Sequence, residues 1–186
     1  MINWSVVDGR HWCPQHRERV FIVGYDPNAL PVSKSDIKIP TQSTSSNNKK
    51  TLAEVIEREV DSSYTLGPGT WRTLVRHKKY HESKGQGFGY GIHRAPFAEG
   101  EVTRTISARY HKDGAEILIE QPGDRPRKLT VREAMQLQGY DPDRFVFPVS
   151  NTQAYRQIGN SVVVPAICEC AQEIACILRG KRNERI

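Results

Sequence analysis

The chain is short of cysteine, of long apolar runs and of acidic residues, and each shortage removes a class of explanation. Its four cysteines, Cys13, Cys168, Cys170 and Cys176, form no C-x-x-C pair and have no histidine at ligand spacing. They are therefore expected to be buried free thiols, and no metal site is expected. No run approaches the ~18 apolar residues of a membrane-crossing helix. The opening M-I-N-W-S-V-V-D lacks a basic region followed by an apolar stretch, so no secretory leader is expected there and the predicted location is cytoplasmic, with no membrane partner. Hydrophobic residues make up 37% of 186 positions, enough for a modest core but lean for an independent enzyme. Acidic residues number 21 against 27 lysines and arginines, a net charge of +6, which favours a polyanionic partner such as nucleic acid.

The elements alternate in kind. Ser5 to Val7 and Arg19 to Val23 are short, apolar and β-branched and predict strands, the second ended by Gly24. From Ser33 to Lys50 the chain is polar and rich in turn formers, which predicts a surface loop or linker. Thr51-x-x-Glu54 is a capping box that predicts a helix to about Val60, and Pro68 can open another carrying Trp71, Leu74 and several basic residues. Gly85 to Gly91 reads G-Q-G-F-G-Y-G. Tyr90 stands where G-x-G-x-x-G needs its last glycine, so no dinucleotide site is expected. Val102 to Ala108 and Glu116 to Ile119 predict strands joined through a K-D-G turn at Lys112 to Gly114. A second capping box, Thr130-x-x-Glu133, predicts a helix stopped by Gly139. Pro165 begins a long helix with Ile167, Ala171, Ile174, Ala175 and Leu178 on one face.

Three segments carry more polar chemistry than a core requires. Alternation in Gln15-x-Arg17-x-Arg19 would send three long polar side chains to one side of a strand, either as a solvated surface or as converging donors for phosphate or a base carbonyl. The predicted hairpin, following the glycine stretch and Arg94, carries Arg104, Arg109, His111 and Lys112 near its tip, and a basic β-ribbon of that kind fits a major groove. Gly159-Asn160-Ser161-Val162 precedes the last helix, where asparagine and serine also serve as ordinary caps.

Taken in order, Q-H-R-E-R-V, R-K-L-T-V-R-E-A-M-Q-L-Q-G-Y and Q-A-Y-R-Q-I-G-N-S-V-V-V-P resemble the eighth, ninth and tenth conserved blocks of the DNA cytosine-5 methyltransferases. The segments between them look most like the Dcm type, and the likeness runs from about Ser5 to Leu178. It implies an α/β fold, the C-terminal portion of a Rossmann-like methyltransferase with a small, mostly β target-recognition domain and a returning C-terminal helix. Residues 1–26 would be the final strands of the catalytic domain, 27–128 the recognition domain, and 129–186 a bracing helix and the returning helix. Arg17 and Arg19 match the arginines of the eighth block, Arg19 expected at the O2 of a flipped cytosine and Arg17 supporting the backbone beside it. Tyr140, Asn160 and Ser161 match positions on the side of S-adenosylmethionine. The pair Thr105-Ile106 matches the family's Thr-aliphatic pair of the recognition region, and the glycine stretch with Gly87 and Gly89 and the 109–114 segment with Arg109, His111 and Lys112 would be the two recognition loops; Gln15, Arg94 and Arg104 are further residues expected on the DNA side. Arg109 is expected to discriminate among sites and Lys78 and Lys79 to bind phosphate.

The family chemistry explains the residue types. Cytosine C5 becomes nucleophilic only after a thiolate adds to C6, which requires the base out of the duplex and a donor at its O2. The family nucleophile lies in P-C-Q or P-C-N, followed by E-N-V and preceded by an F-x-G-x-G cofactor loop, and none of these occurs here. Cys13 stands in the order C-P-Q and matches no family nucleophile. The resemblance thus implies a target-recognition and site-completing part, as a split subunit or a piece of a longer chain, inactive without a partner that carries the catalytic cysteine. Its other partner is double-stranded DNA, with a cognate restriction endonuclease a further candidate. Alternatives are a non-catalytic sequence-specific DNA-binding module, a decayed methyltransferase fragment, and an independent thiol enzyme built on Cys13.

Overall fold

The computed structural model describes residues 1–30, 32–44, 49–87, 89–123 and 125–183, the side chains of the last three excepted. Part of the predicted linker (45–48) and Phe88 of the glycine stretch lie outside the described residues. Strands β1 (Ile2–Asp8) and β2 (Glu18–Gly24) form an antiparallel pair in which Trp4 faces Ile22 and Val7 faces Arg19. The 27–128 region carries the one-turn α1 (Leu52–Val55), the 15-residue α2 (Pro68–Glu82) and two-residue strands β3 (Ile92–His93) and β4 (Leu118–Ile119). Strand β5 (Arg127–Lys128) and helices α3 (Val131–Leu137), α4 (Asn151–Asn160) and α5 (Val164–Asn183) follow. β4 pairs parallel with β3 and antiparallel with β5.

Local rules explain most boundaries. Thr51 and Thr130 each accept from the glutamate N–H three residues on, and each glutamate reaches back to the threonine N–H. Pro68 fills the first turn of α2, where no intrahelical donor is lost. At the end of α3, Gly139 turns to φ +78 while its N–H reaches Gln136 O and that of Tyr140 reaches Met135 O, the two reverse bonds that close a helix with glycine. A side chain at Gly159 would begin 2.4 Å from the backbone of Ser107, so α4 lies directly on the 103–110 segment.

The main core joins α1, α3, α4 and the 106–119 segment around Ile106, Tyr110, Leu129, Leu137 and Ile158. Its polar atoms pair internally: Tyr110 Oη donates to Ile117 O and accepts from Leu129 N–H, and Tyr155 Oη donates to Leu129 O. The Arg127 guanidinium grips both oxygens of Glu133 at 2.8 and 2.9 Å with both side chains almost wholly buried. Glu133 also accepts the N–H groups of Glu57 and Thr130, so its charge is fully solvated by protein donors. A second core sets Val7, Trp12 and Cys13 against Val163 and Ala166 of the α5 entry.

Several expectations are corrected. The 27–128 region is not mostly β, because strand content among its described residues is limited to the two-residue strands β3, β4 and β5 and to single bridges. The 102–119 hairpin does not form. Thr103 instead makes a single parallel bridge to Gln15, residues 107–114 coil through successive turns, and β4 finds its partners in β3 and β5. The helix after Thr51 stops at Val55 rather than Val60. Gly159-Asn160 ends α4, which the sequence reading did not separate, and Ser161 caps it rather than opening α5. α5 packs through Ala166, Cys170 and Ile174, leaving Ile167 and Leu178 exposed. Cys13 and Cys170 are buried as expected, whereas Cys168 and Cys176 are exposed. No single helix among the described residues is long and apolar enough to cross a membrane.

Cys13 donates its thiol to Gly9 O at 3.4 Å, and burial pushes that thiol up to about 12. A group so raised stays protonated throughout the neutral range. In the native chain at pH 8, iodoacetamide should modify Cys168 and Cys176 while Cys13 reacts roughly a thousandfold more slowly, in line with its thiolate fraction. Peptide mass spectrometry checks this; native labelling of Cys13 at the rate of Cys168 would contradict the burial assigned to it.

Candidate functional site

The Q-x-R-x-R alternation separates rather than converges. Gln15 is fully buried, its Nε2 donating to Leu137 O and its Oε1 accepting from Ile106 N–H, both at 3.1 Å. Arg17 is 2% exposed and donates to Ile106 O at 3.0 Å, Gly159 O at 2.9 Å and Ser161 O at 2.7 Å. Burial and the neighbouring Arg19 pull its guanidinium down to about 10, which leaves it charged near neutral pH. Its backbone N–H is held by Asp8, whose carboxylate also receives Arg10 and His16. Burial opposes the Asp8 charge, but these donors outweigh it and hold the group well below the usual carboxylate range.

Arg19 is exposed at the start of β2, its Nη1 donating to Glu18 O at 2.6 Å. It borders a small depression shared with Arg17, Phe21 and Val162, and Arg17 Nε is buried without a hydrogen-bond partner. Asn160 is exposed at the last turn of α4. Ser161 is half-buried, its Oγ donating to Ile158 O. Tyr140 is half-buried in an aromatic group with Phe145 and Phe147, at ring distances of 5.0 and 6.0 Å. The chain thus brings the Arg17 and Asn160-Ser161 segments into contact through main-chain carbonyls, while Tyr140 belongs to the exit of α3.

The DNA-side residues divide into an interior set and an open set. Gln15 and Ile106 are fully buried and offer nothing to a duplex in this structure, and Thr105 donates its hydroxyl to His16 O at 2.6 Å. These residues fasten the 103–106 segment to the strand instead. Arg94 is exposed but paired with Glu120 at 2.8 Å, and His111 is half-buried and bonded to Ala108 O. Gly87, Gly89, Arg104, Arg109 and Lys112 border one open cleft against Leu74 and His77 of α2. Arg104 reaches across to Gly89 O at 2.5 Å, so it braces the glycine segment, while Arg109 and Lys112 are exposed.

The helix α2 contributes in a way its charge alone did not announce. Arg72, Arg76 and Lys79 recur at helical spacing on an exposed face, giving a basic stripe. Lys78 points elsewhere: its Nζ lies 4.6 Å from the Tyr90 ring centre, and Tyr90 packs on Trp71 at 4.8 Å. The spacing of α2 could have assigned Lys78 to the inner face, but the partner ring could not be read from it.

The chain matches the model of the C-5 cytosine-specific DNA methylases over residues 2–176. It is 43% identical over 170 residues to the type II methyltransferase M1.ScrFI of Lactococcus lactis subsp. cremoris, covering 91% of this chain and 42% of that protein. It is 45% identical over 166 residues to M.SsoII of Shigella sonnei, covering 89% and 41%, and 42% identical over 190 residues to the DNA-cytosine methyltransferase of Escherichia coli strain K12, covering 90% and 39%. The chain therefore spans about two fifths of the length of these relatives. Its fold is similar to that of the S. pombe Dnmt2 methyltransferase, with a TM-score of 0.63 at 15% identity over 94% of this chain and 56% of that one. On the match across nearly its whole length, the chain belongs to the C-5 cytosine-specific DNA methylase family.

Proposed function

We propose that the chain is the target-recognition and site-completing portion of a DNA (cytosine-5-)methyltransferase, and that a separate catalytic portion supplies the nucleophilic cysteine and most of the S-adenosylmethionine site. The observation that carries this is the bare face of the β1–β2 pair. Trp4, Val6, Val20 and Ile22 share it, with Trp4 63% and Ile22 69% exposed, while the opposite face is packed under α5. A two-stranded ribbon is too small to be a sheet by itself, and both its outer edges carry unpaired backbone groups. An apolar, edge-open ribbon of this kind fits the sheet of a complementing α/β body.

The residues matched to the cofactor side do not build a site alone. Ser161 spends its hydroxyl on Ile158 O and its carbonyl on Arg17, Tyr140 is packed on phenylalanines, and only the Asn160 carboxamide stands open. Together with the missing F-x-G-x-G loop, this supports a cofactor site shared with the complementing portion. On this reading Arg19 supplies the donor fork to O2 of the flipped cytosine, a contact that strengthens as charge develops on the ring. Arg17 acts through the backbone: it fixes the carbonyls at 106, 159 and 161 and so sets where Arg19 and Asn160 stand. Arg109 and Lys112 face the DNA from the cleft, and the α2 stripe neutralises phosphates. Arg104 and Thr105 act as positioning residues.

Transfer of labelled methyl to duplex DNA tests the proposal. The chain alone should be inactive, and activity should appear on mixing with a polypeptide that carries the P-C-Q, E-N-V and F-x-G-x-G blocks; turnover by the chain alone would overturn the assignment. In the complemented enzyme, Arg109→Ala should reduce discrimination between cognate and random duplex by about 5- to 150-fold, the range of ~1–3 kcal/mol for a lost base contact. Lys79→Ala should weaken binding to both duplexes alike and lower the salt slope by about one. Competition binding at several salt concentrations checks both, and equal losses on the two duplexes for Arg109→Ala would remove it from the readout.

A further inference from the structure

We infer that His77 and His81 of α2 form a binding site for a divalent transition-metal ion of the Zn²⁺, Ni²⁺ or Cu²⁺ class, with Gln86 as the residue that orients it. The two histidines are one turn apart, so their rings project from the same side of the helix. Their Nε2 atoms lie 3.2 Å apart. An ion at ~2.05 Å from both nitrogens would subtend an angle of about 103° between them, close to the tetrahedral value. The rings meet edge to face at a centroid distance of 4.5 Å, so neither ring plane blocks the space the two nitrogens share.

The hydrogen bonds around His81 also suit ligation. Gln86 Oε1 accepts from His81 Nδ1 at 2.6 Å, and Gln86 N–H returns to His81 O at 2.9 Å. Placing the proton on Nδ1 leaves the Nε2 lone pair of His81 directed at His77, whose Nε2–H then donates to it. Ion binding replaces that shared hydrogen bond, His77 then presenting Nε2 to the ion and carrying its proton on Nδ1. A ligating histidine whose other nitrogen is fixed by a hydrogen-bond acceptor is the usual arrangement at protein metal centres. His77 is exposed and His81 half-buried, which leaves further coordination positions to water or an exogenous ligand. Imidazole donors with open positions favour borderline ions over Mg²⁺ or Ca²⁺.

The site ties the C-terminal turn of α2 to the start of the glycine segment, because Gln86 lies between Gly85, at φ +68, and Gly87 on the cleft rim. Occupancy would therefore stiffen the cleft on the side opposite Arg109.

Isothermal titration of the chain with NiCl₂ and with ZnCl₂, in a non-chelating buffer and a phosphine reductant, tests this. One equivalent of ion should bind. His77→Ala and His81→Ala should each weaken it by at least tenfold, Gln86→Ala by about tenfold, and His16→Ala not at all. Circular dichroism should show the variants folded, since neither ring belongs to a buried core cluster. Unchanged binding in the His77→Ala/His81→Ala double variant, or loss of binding in His16→Ala, where Asp8 and Glu18 lie nearby, would overturn the assignment.

Discussion

The guanidinium of Arg17 is the constraint on which the site depends. It is 2% exposed, faces no carboxylate among the described residues, and is compensated by three main-chain carbonyls from two distant segments. A charge in that position is costly unless its donors are used, and the three carbonyls are equally costly if left bare. The strand entry, the 103–106 segment and the end of α4 are therefore held in one arrangement. Gln15 extends the same knot to Leu137, so the exit of α3 is fastened too. Each segment that resembles a methyltransferase block enters this knot, the first through the Gln15 and Arg17 side chains and the other two through the carbonyls of Leu137, Gly159 and Ser161.

That arrangement divides labour between adjacent residues of opposite exposure. Arg17 is consumed inside and Arg19, two residues on, is left outside; Ile106 is inside and Arg109 outside. The interior member sets the position of the exterior one. The buried Arg127–Glu133 pair does the same for the other end, joining β5, the α3 cap and the Glu57 backbone, so that the 27–128 region and α3 share one core. With the interior polar groups largely spent on each other, what remains open is a basic cleft on one side and an apolar strand face on the other.

The legibility of the sequence follows the range of the interactions. Both capping boxes, Pro68 and the Gly139 stop are local devices and could be read directly. The two N-terminal strands were legible in part, Ser5 to Val7 and Arg19 to Val23 from their β-branched and apolar residues, although both run longer, as Ile2–Asp8 and Glu18–Gly24. The 102–119 hairpin was not: its residues have strand character, but Thr103, Thr105 and Ile106 are bonded to residues 14–17, some ninety positions away. Helix α4 was hidden by its polar sequence N-T-Q-A-Y-R-Q, whose buried residues, Ala154, Tyr155 and Ile158, are few. For α5 the sequence reading put Ile167 and Leu178 on the covered face, whereas packing against Val7 and Phe21 covers Ala166, Cys170 and Ile174 instead. The candidate site residues were drawn from their family order, while their division into buried and exposed depends on the Arg17 contacts. The His77–His81 pair needs the register of α2 and the return of Gln86, which only the folded chain supplies.

Urea unfolding of Arg17→Met beside Arg19→Met tests the central claim most directly. The account predicts a loss of about 3 kcal/mol or more for Arg17→Met, from three carbonyls stripped of their donors, and a change within ~0.5 kcal/mol for exposed Arg19→Met. Small and equal effects of the two substitutions would contradict it, because the fold would then not depend on the buried guanidinium.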